Sequence, residues 1–432
     1  MHTIANMKSQ TSHALSSLFA SYDIRIRDPL WKDIHLSAAF KEIYLCPCVQ
    51  KLGRIKQLGP TFHIYPGAVH TRLDHSLGVY HISHLILVSL LKKAIANGTE
   101  TPITEEGMRT FLCAALLHDI GHFPFAHSLK ELPLKSHESI ASDLIQGDLQ
   151  LKNAIGKAGC KPSAVADIID TDRPCTDTEV LLYRSLLSGT LDPDKLDYLN
   201  RDAFFCGVPY GNQDVPYITD NLLLQNGCPA LPVQSAGSVE HILFSKYLMY
   251  QNVYWHKLTR SATAMIKKAV IGALDDSVLS AEKLYILDDE QFFSLPEKIS
   301  YAPFVLFSQV RDNNFLACRY EESFDASRKL DRDALSLMGR KTVEKRIYEN
   351  LKQTGNYSAL QEFEIIVDIP EPVSFETDLP LVQENGTCIP FGDYDTLFSA
   401  DIGKVFTKSL RKTRIFTPSY VGKEAVREAL EF

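Results

Sequence analysis

Nine of the fourteen histidines fall between His63 and His137, a crowding that composition alone does not produce. Within it stand the adjacent pair His118 and Asp119, preceded by an apolar run and followed by Gly121. Phosphate-ester chemistry on a divalent metal needs neutral imidazoles and carboxylates converging from separate elements, with positions left open for water and a substrate oxygen. At the end of an apolar helix the chain leaves regular geometry, so both members of such a pair can turn toward one ion. Gly121 permits the sharp turn that follows. His122, His127 and His137 are further imidazoles available for proton transfer, with Glu138 beside the last.

The elements that must position these groups are helical. Apolar periodicity predicts one helix from Asp74 to about Ile95 and a second from about Glu105 to His118. A third covers Thr178–Leu187, and Pro193 opens a fourth from Asp194 to Phe205. On that fourth helix Asp194, Tyr198, Arg201 and Asp202 share a broad face, with Lys195 beside it. A long pattern from Val239 to Val270 predicts a single helix on which Lys246, Tyr250 and Tyr254 combine a cation with aromatic surface. After Leu295 the texture changes, and FVLFSQV (304–310), FEIIVDI (363–369) and RIFTP (414–418) read as short strands. Helices over 340–353 and 423–430 accompany them. The expected fold is mainly α, a helical core with a smaller mixed α/β C-terminal part. The expected organisation is a polar segment at 1–24, the core at 25–290 and the mixed region at 291–432.

Four ordered segments, RLDHSLGV (72–79), HDIGHFPFAH (118–127), HES (137–139) and DPDKLDYLNRD (192–202), resemble the HD-domain phosphohydrolases. The resemblance is greatest to the deoxynucleoside-triphosphate triphosphohydrolase branch, which includes bacterial dNTPases and the animal dNTPase bearing a sterile alpha motif. It covers residues 25–270. It implies that His75, His118, Asp119 and Asp194 ligate one divalent metal and that Arg72 contacts substrate phosphate. Two His and two Asp form a nitrogen/oxygen site suited to Mn, Fe, Mg, Ni or Zn.

The same resemblance places His122 and His127 in the site and links His137 and Glu138 to catalysis, with His127 or His137 as general acid. It gives Lys195 to phosphate, and Tyr198 and Asp202 to the sugar. In KYLMYQNVYWHK (246–257), Lys246 stands where the family has a phosphate-binding arginine, and Tyr254 and His256 align near base and sugar. A lysine binds phosphate as a point charge and lacks the arginine fork. Gln57 and Leu58, in IKQLG (55–59), become candidate selectors of deoxyribose. At the positions that read an activating guanine nucleotide in the animal enzyme this chain has Leu45 and Gly53, although Lys51 and Arg54 could attract a nucleotide phosphate.

The implied reaction is hydrolysis of dNTPs to deoxynucleoside and inorganic triphosphate by attack of metal-bound water at the α-phosphorus. The alternatives are an HD-type hydrolase of nucleotide monophosphates or signalling nucleotides, and a non-catalytic nucleotide sensor. A homo-oligomer, dimer or tetramer, follows from the resemblance alone. The remaining bounds come from composition. A net charge of −8 argues against a broad nucleic-acid footprint and favours a small nucleotide substrate. Nine cysteines without a CxxC pair do not form a disulfide scaffold. The apolar stretch at Leu85–Leu91 is too short for a bilayer, and the polar N-terminus lacks a signal-peptide core, so a cytoplasmic protein is expected.

Overall fold

The computed structural model describes residues 2–19, 24–99, 101–395, 397–399 and 401–431. It is mainly α, with small sheets confined to three places. At its centre runs the Arg72–Asn97 helix, packed against Glu105–Leu117 and Pro193–Cys206. Thr71 caps it and Asp74 closes a capping box, so it begins two residues before the expected start. By length and composition this helix could cross a membrane, and the stretch expected to be too short is part of it. Here it is a core helix whose apolar residues pack on its neighbours.

Two close approaches fix the geometry. A Cβ on Gly78 would stand 1.8 Å from Asp197 Oδ1, so only glycine lets the central helix press onto the carboxylate row of Pro193–Cys206. A Cβ on Gly121 would stand 2.0 Å from the His137 carbonyl oxygen, so glycine lets the turn after Asp119 pass the start of the His137–Gly147 helix. Sequence and tertiary packing meet at these two positions.

The long helix expected over Val239–Val270 is interrupted. Ala236–Met249 runs into a π-helical turn at Tyr250–Tyr254, the chain breaks at Trp255, and Lys257–Asp275 restarts with the His256 ring accepting from Leu258 N–H. A π-turn inserts a residue into the helical register and re-aims the side chains on it. Residues 304–310 are not a strand: a short 3-10 turn, Ala302–Phe304, leads into the helix Val305–Arg311. Leu306, Phe307 and Val310 are buried at helical spacing, a pattern a seven-residue apolar run does not distinguish from a strand. The other two strands form: Lys412–Thr417 is the central strand of a sheet in which Ala317–Ser323 and Ile366–Asp368 flank it, each antiparallel to it. The helices Leu337–Gln353 and Lys423–Glu428 accompany them. The polar N-terminal segment carries a helix at His2–Phe19.

Beyond residue 290 part of the chain returns to the helical core. Pro380–Val382 pairs in parallel with Cys228–Pro232, matching Leu381 to Leu231, and Phe375, Leu379, Leu381, Phe391 and Leu410 enter the main apolar cluster. This anchoring brings residues 370–376 to the wall of the principal cavity.

Candidate metal centre and its cavity

His75 lies in the first turn of its helix and His118 caps the end of Glu105–Leu117, with Asp119 beside it. Asp194 lies one residue after Pro193, in the first turn of its helix. The His75, His118 and Asp119 donor atoms lie within 4.8 Å of one another. Asp194 joins them, with Oδ1 at 2.9 Å from His75 Nε2 and 3.8 Å from His118 Nε2. Three elements thus deliver four donors to one point.

The hydrogen bonds decide which nitrogens face that point. His118 Nδ1 lies 2.9 Å from the Ala115 carbonyl, which can only accept, so the proton is on Nδ1 and the Nε2 lone pair is free. That Nε2 is buried without a hydrogen-bond partner among the described residues. On His75, Nδ1 donates to Asp197 Oδ2 at 2.8 Å, leaving Nε2 for the site. A carboxylate behind an imidazole fixes its tautomer and raises its basicity as a ligand. The residues therefore fit a divalent cation: the Nε2 atoms of two imidazoles converge with two carboxylates, and one of those nitrogens, on His118, is buried with no hydrogen-bond partner among the described residues.

Asp197 itself is fully buried and crowded with donors: Trp31 Nε1, His75 Nδ1, and Arg201 through Nε at 2.8 Å and a terminal nitrogen at 3.0 Å. Burial alone would raise its pKa, but Arg201 and His75 together hold it well below the usual carboxylate range. Arg201, expected on the cavity face, instead lies buried between Asp197 and Asp28. Burial likewise disfavours a charged His75, yet Asp194 and Asp197 hold its pKa up at about 10. Asp119 is held well below its ordinary value against burial, through His122, His118 and Arg72.

These groups open onto a cavity of about 900 Å³. Arg72 donates to Asp119 Oδ2 at 2.7 Å, while its Nε is buried without a hydrogen-bond partner among the described residues. His127 and His137 line the wall, with Glu138 Oε1 3.1 Å from His137 Nε2. His122 does not reach the wall. It lies wholly buried behind the other two, its Nε2 3.1 Å from His127 Nε2 and its ring centre 4.0 Å from that of His137 with the planes tilted by 45°, so it supports rather than faces the cavity. Burial holds His122 well below the ordinary imidazole pKa and His137 at about 4, so both are neutral at neutral pH.

At the other end Asp202 is clamped by His70 Nε2 at 2.8 Å and by the Tyr254 hydroxyl, which donates at 2.7 Å. Tyr198, Tyr254, Gln57, Leu58, Lys195 and Lys246 share the cavity wall. His256 does not. Its ring caps the next helix and stands edge-on to Tyr65, because the break after the π-turn swings it away. Asp197, His70, Asp192 and Glu376 were not singled out in the sequence. Only Asp197 left a signal there, three residues after Asp194 on the same helix.

Residues 72–172 match the HD domain family, and residues 214–400 match the HD associated region. The chain thus carries an HD domain followed by an HD associated region, and its likeness is to the HD-domain phosphohydrolase superfamily. His75, His118 and Asp119 lie inside the HD match, and Asp194 falls between the two matched regions.

Among individual relatives, Bacillus subtilis YwfO is 35% identical over 221 residues, 51% of this chain and 48% of that protein. Methanocaldococcus jannaschii MJ1154 is 33% identical over 268 residues, covering 61% and 53%. The deoxynucleoside triphosphate triphosphohydrolase SAMHD1 of Homo sapiens is 25% identical over 283 residues, covering 58% and 44%. The chain spans about half the length of the curated relatives it matches. The solved structure of a Bacteroides thetaiotaomicron phosphohydrolase shares the fold, with a TM-score of 0.71 at 22% identity, over 91% of this chain and 99% of that one.

Proposed function

We propose that this chain hydrolyses deoxynucleoside triphosphates to deoxynucleoside and inorganic triphosphate, by attack of water at the α-phosphorus. One observation carries the reading: the His/Asp donor set, Arg72, two lysines and the Tyr198, Asp202, Tyr254 group line one continuous cavity. A divalent ion held by His75, His118, Asp119 and Asp194 supplies Lewis-acid charge and lowers the pKa of water.

The chain's own residues do the rest. Arg72, oriented by Asp119, lines the cavity and brings its guanidinium charge to a phosphate oxygen. His127 and His137 can take a proton from the attacking water or give an N–H to the leaving oxygen, and Glu138 orients His137. Tyr198 and Tyr254 form an aromatic wall, and Asp202 offers the sugar a carboxylate fixed on both oxygens. Lys195 and Lys246 supply positive charge for the phosphate tail.

Purified protein supplied with Mn²⁺ or Mg²⁺ should release inorganic triphosphate from at least one dNTP, followed by anion-exchange chromatography with and without added nucleotide activators. Release from none overturns the reading. A second reading, a hydrolase of nucleotide monophosphates or signalling nucleotides, is favoured by a specific observation: Lys195 is already saturated by protein acceptors. Faster turnover of phosphomonoesters than of dNTPs in a panel would select it.

A further inference from the structure

Three acceptors surround the Lys195 ammonium: the Gly189 carbonyl at 2.8 Å, Asp192 Oδ2 at 2.7 Å and Glu376 Oε2 at 3.2 Å. An ammonium has three N–H donors, so none remains for a ligand. Two of these partners are fixed. Asp192 is buried and caps the helix that carries Asp194, and Gly189 offers backbone in the turn before it. Glu376 differs, with a side chain 37% exposed, on a stretch, 370–376, that has no regular secondary structure.

The same stretch covers the second lysine. Lys246 Nζ donates to the Ser374 carbonyl at 2.7 Å and stands 5.4 Å from the centre of the Phe375 ring. Both cations at the phosphate end of the cavity are thus met by oxygens of one strap, and one of those oxygens is anionic. A carboxylate on Lys195 is a one-charge stand-in for a terminal phosphate. A triphosphate tail brings several charges, enough to replace it. A single phosphate held at the metal donors and Arg72 has no second group to reach Lys195.

We propose that Glu376 is a specificity-determining residue: it holds the place on Lys195 that the end of a phosphate tail takes, and so selects substrates by the length and charge of that tail. The inference rests on the phosphohydrolase reading of this cavity but not on its dNTP form. In Mg²⁺ buffer, calorimetry of the full chain with inorganic triphosphate should show Glu376→Gln binding about tenfold more tightly than the unaltered protein, the scale of a charge-assisted hydrogen bond. Orthophosphate affinity should change by less than about twofold, as for a substitution outside its contacts.

A second measurement needs no variant. Adding inorganic triphosphate to the unaltered protein should speed amide hydrogen exchange in residues 371–376, and orthophosphate should not. Triphosphate affinity no tighter in Glu376→Gln, including binding by neither form, overturns the proposal. So does triphosphate binding with unchanged exchange in the strap. If the variant binds triphosphate more tightly while neither form releases triphosphate from a dNTP, the role of Glu376 stands and the dNTP reading falls.

Discussion

The two ends of the cavity are built on opposite terms. At the metal end three of the four donors are aimed by a partner of their own: His75 by Asp197, His118 by the Ala115 carbonyl, Asp119 by Arg72. One nitrogen is left open there, and the arrangement asks for a cation. At the phosphate end Lys195 and Lys246 are already answered by Asp192, Glu376 and the Ser374 carbonyl. The first end is preorganised and unsatisfied; the second is satisfied and must be displaced. Binding energy is therefore available at once at the metal and only by exchange at the lysines.

The contrast breaks most visibly if the metal end tolerates change. Asp119→Ala should remove bound metal and lower activity by about a thousandfold or more, since it deletes a donor and frees Arg72. Metal content by mass spectrometry alongside turnover tests this, and retained metal with retained activity would refute the assignment. Asp197 is not itself a metal donor, yet Asp197→Asn should weaken metal affinity by about 10- to 100-fold, because the amide no longer fixes the His75 tautomer. A metal titration reads this, and circular dichroism checks that the fold persists. Asp197→Ala should also lower the melting temperature, losing about 3–5 kcal/mol by leaving Arg201 buried and half unpaired.

At the other end the effects should be smaller. Tyr254→Phe removes one donor from Asp202 and should cost about 1 kcal/mol, seen as a several-fold rise in KM with kcat nearly kept. A fall in kcat at constant KM would move Tyr254 from holding the sugar end to acting in the transition state.

How much of this was legible in the sequence follows from the same division. The metal donors sit in short local motifs at helix ends, where spacing and capping residues specify position, and His75, His118, Asp119 and Asp194 do converge. Asp197 was missed because its role depends on the approach allowed by Gly78, a contact between helices that spacing along one helix does not reveal. The π-turn at Tyr250–Tyr254 escaped because an inserted residue leaves the apolar pattern nearly intact, and with it went the position of His256. Arg201 was assigned to the cavity face because a 3.6-residue period gives direction around a helix but not which side meets Asp28. Glu376 left no trace at all. It is a lone glutamate in an irregular stretch, and its ammonium partner lies far away in the chain.

The parallel pairing of Leu231 with Leu381 adds a consequence in time. The donors at the metal lie between His75 and Asp194, so that end can assemble once the first half of the chain has been synthesised. The wall that covers the lysines is held by a contact between distant parts of the chain, and such contacts are slow to close. During folding the cavity should pass through a stage in which the metal donors are in place and both ammonium groups are bare to solvent anions. Phosphate in a refolding buffer should then bind an intermediate more readily than it binds the finished protein.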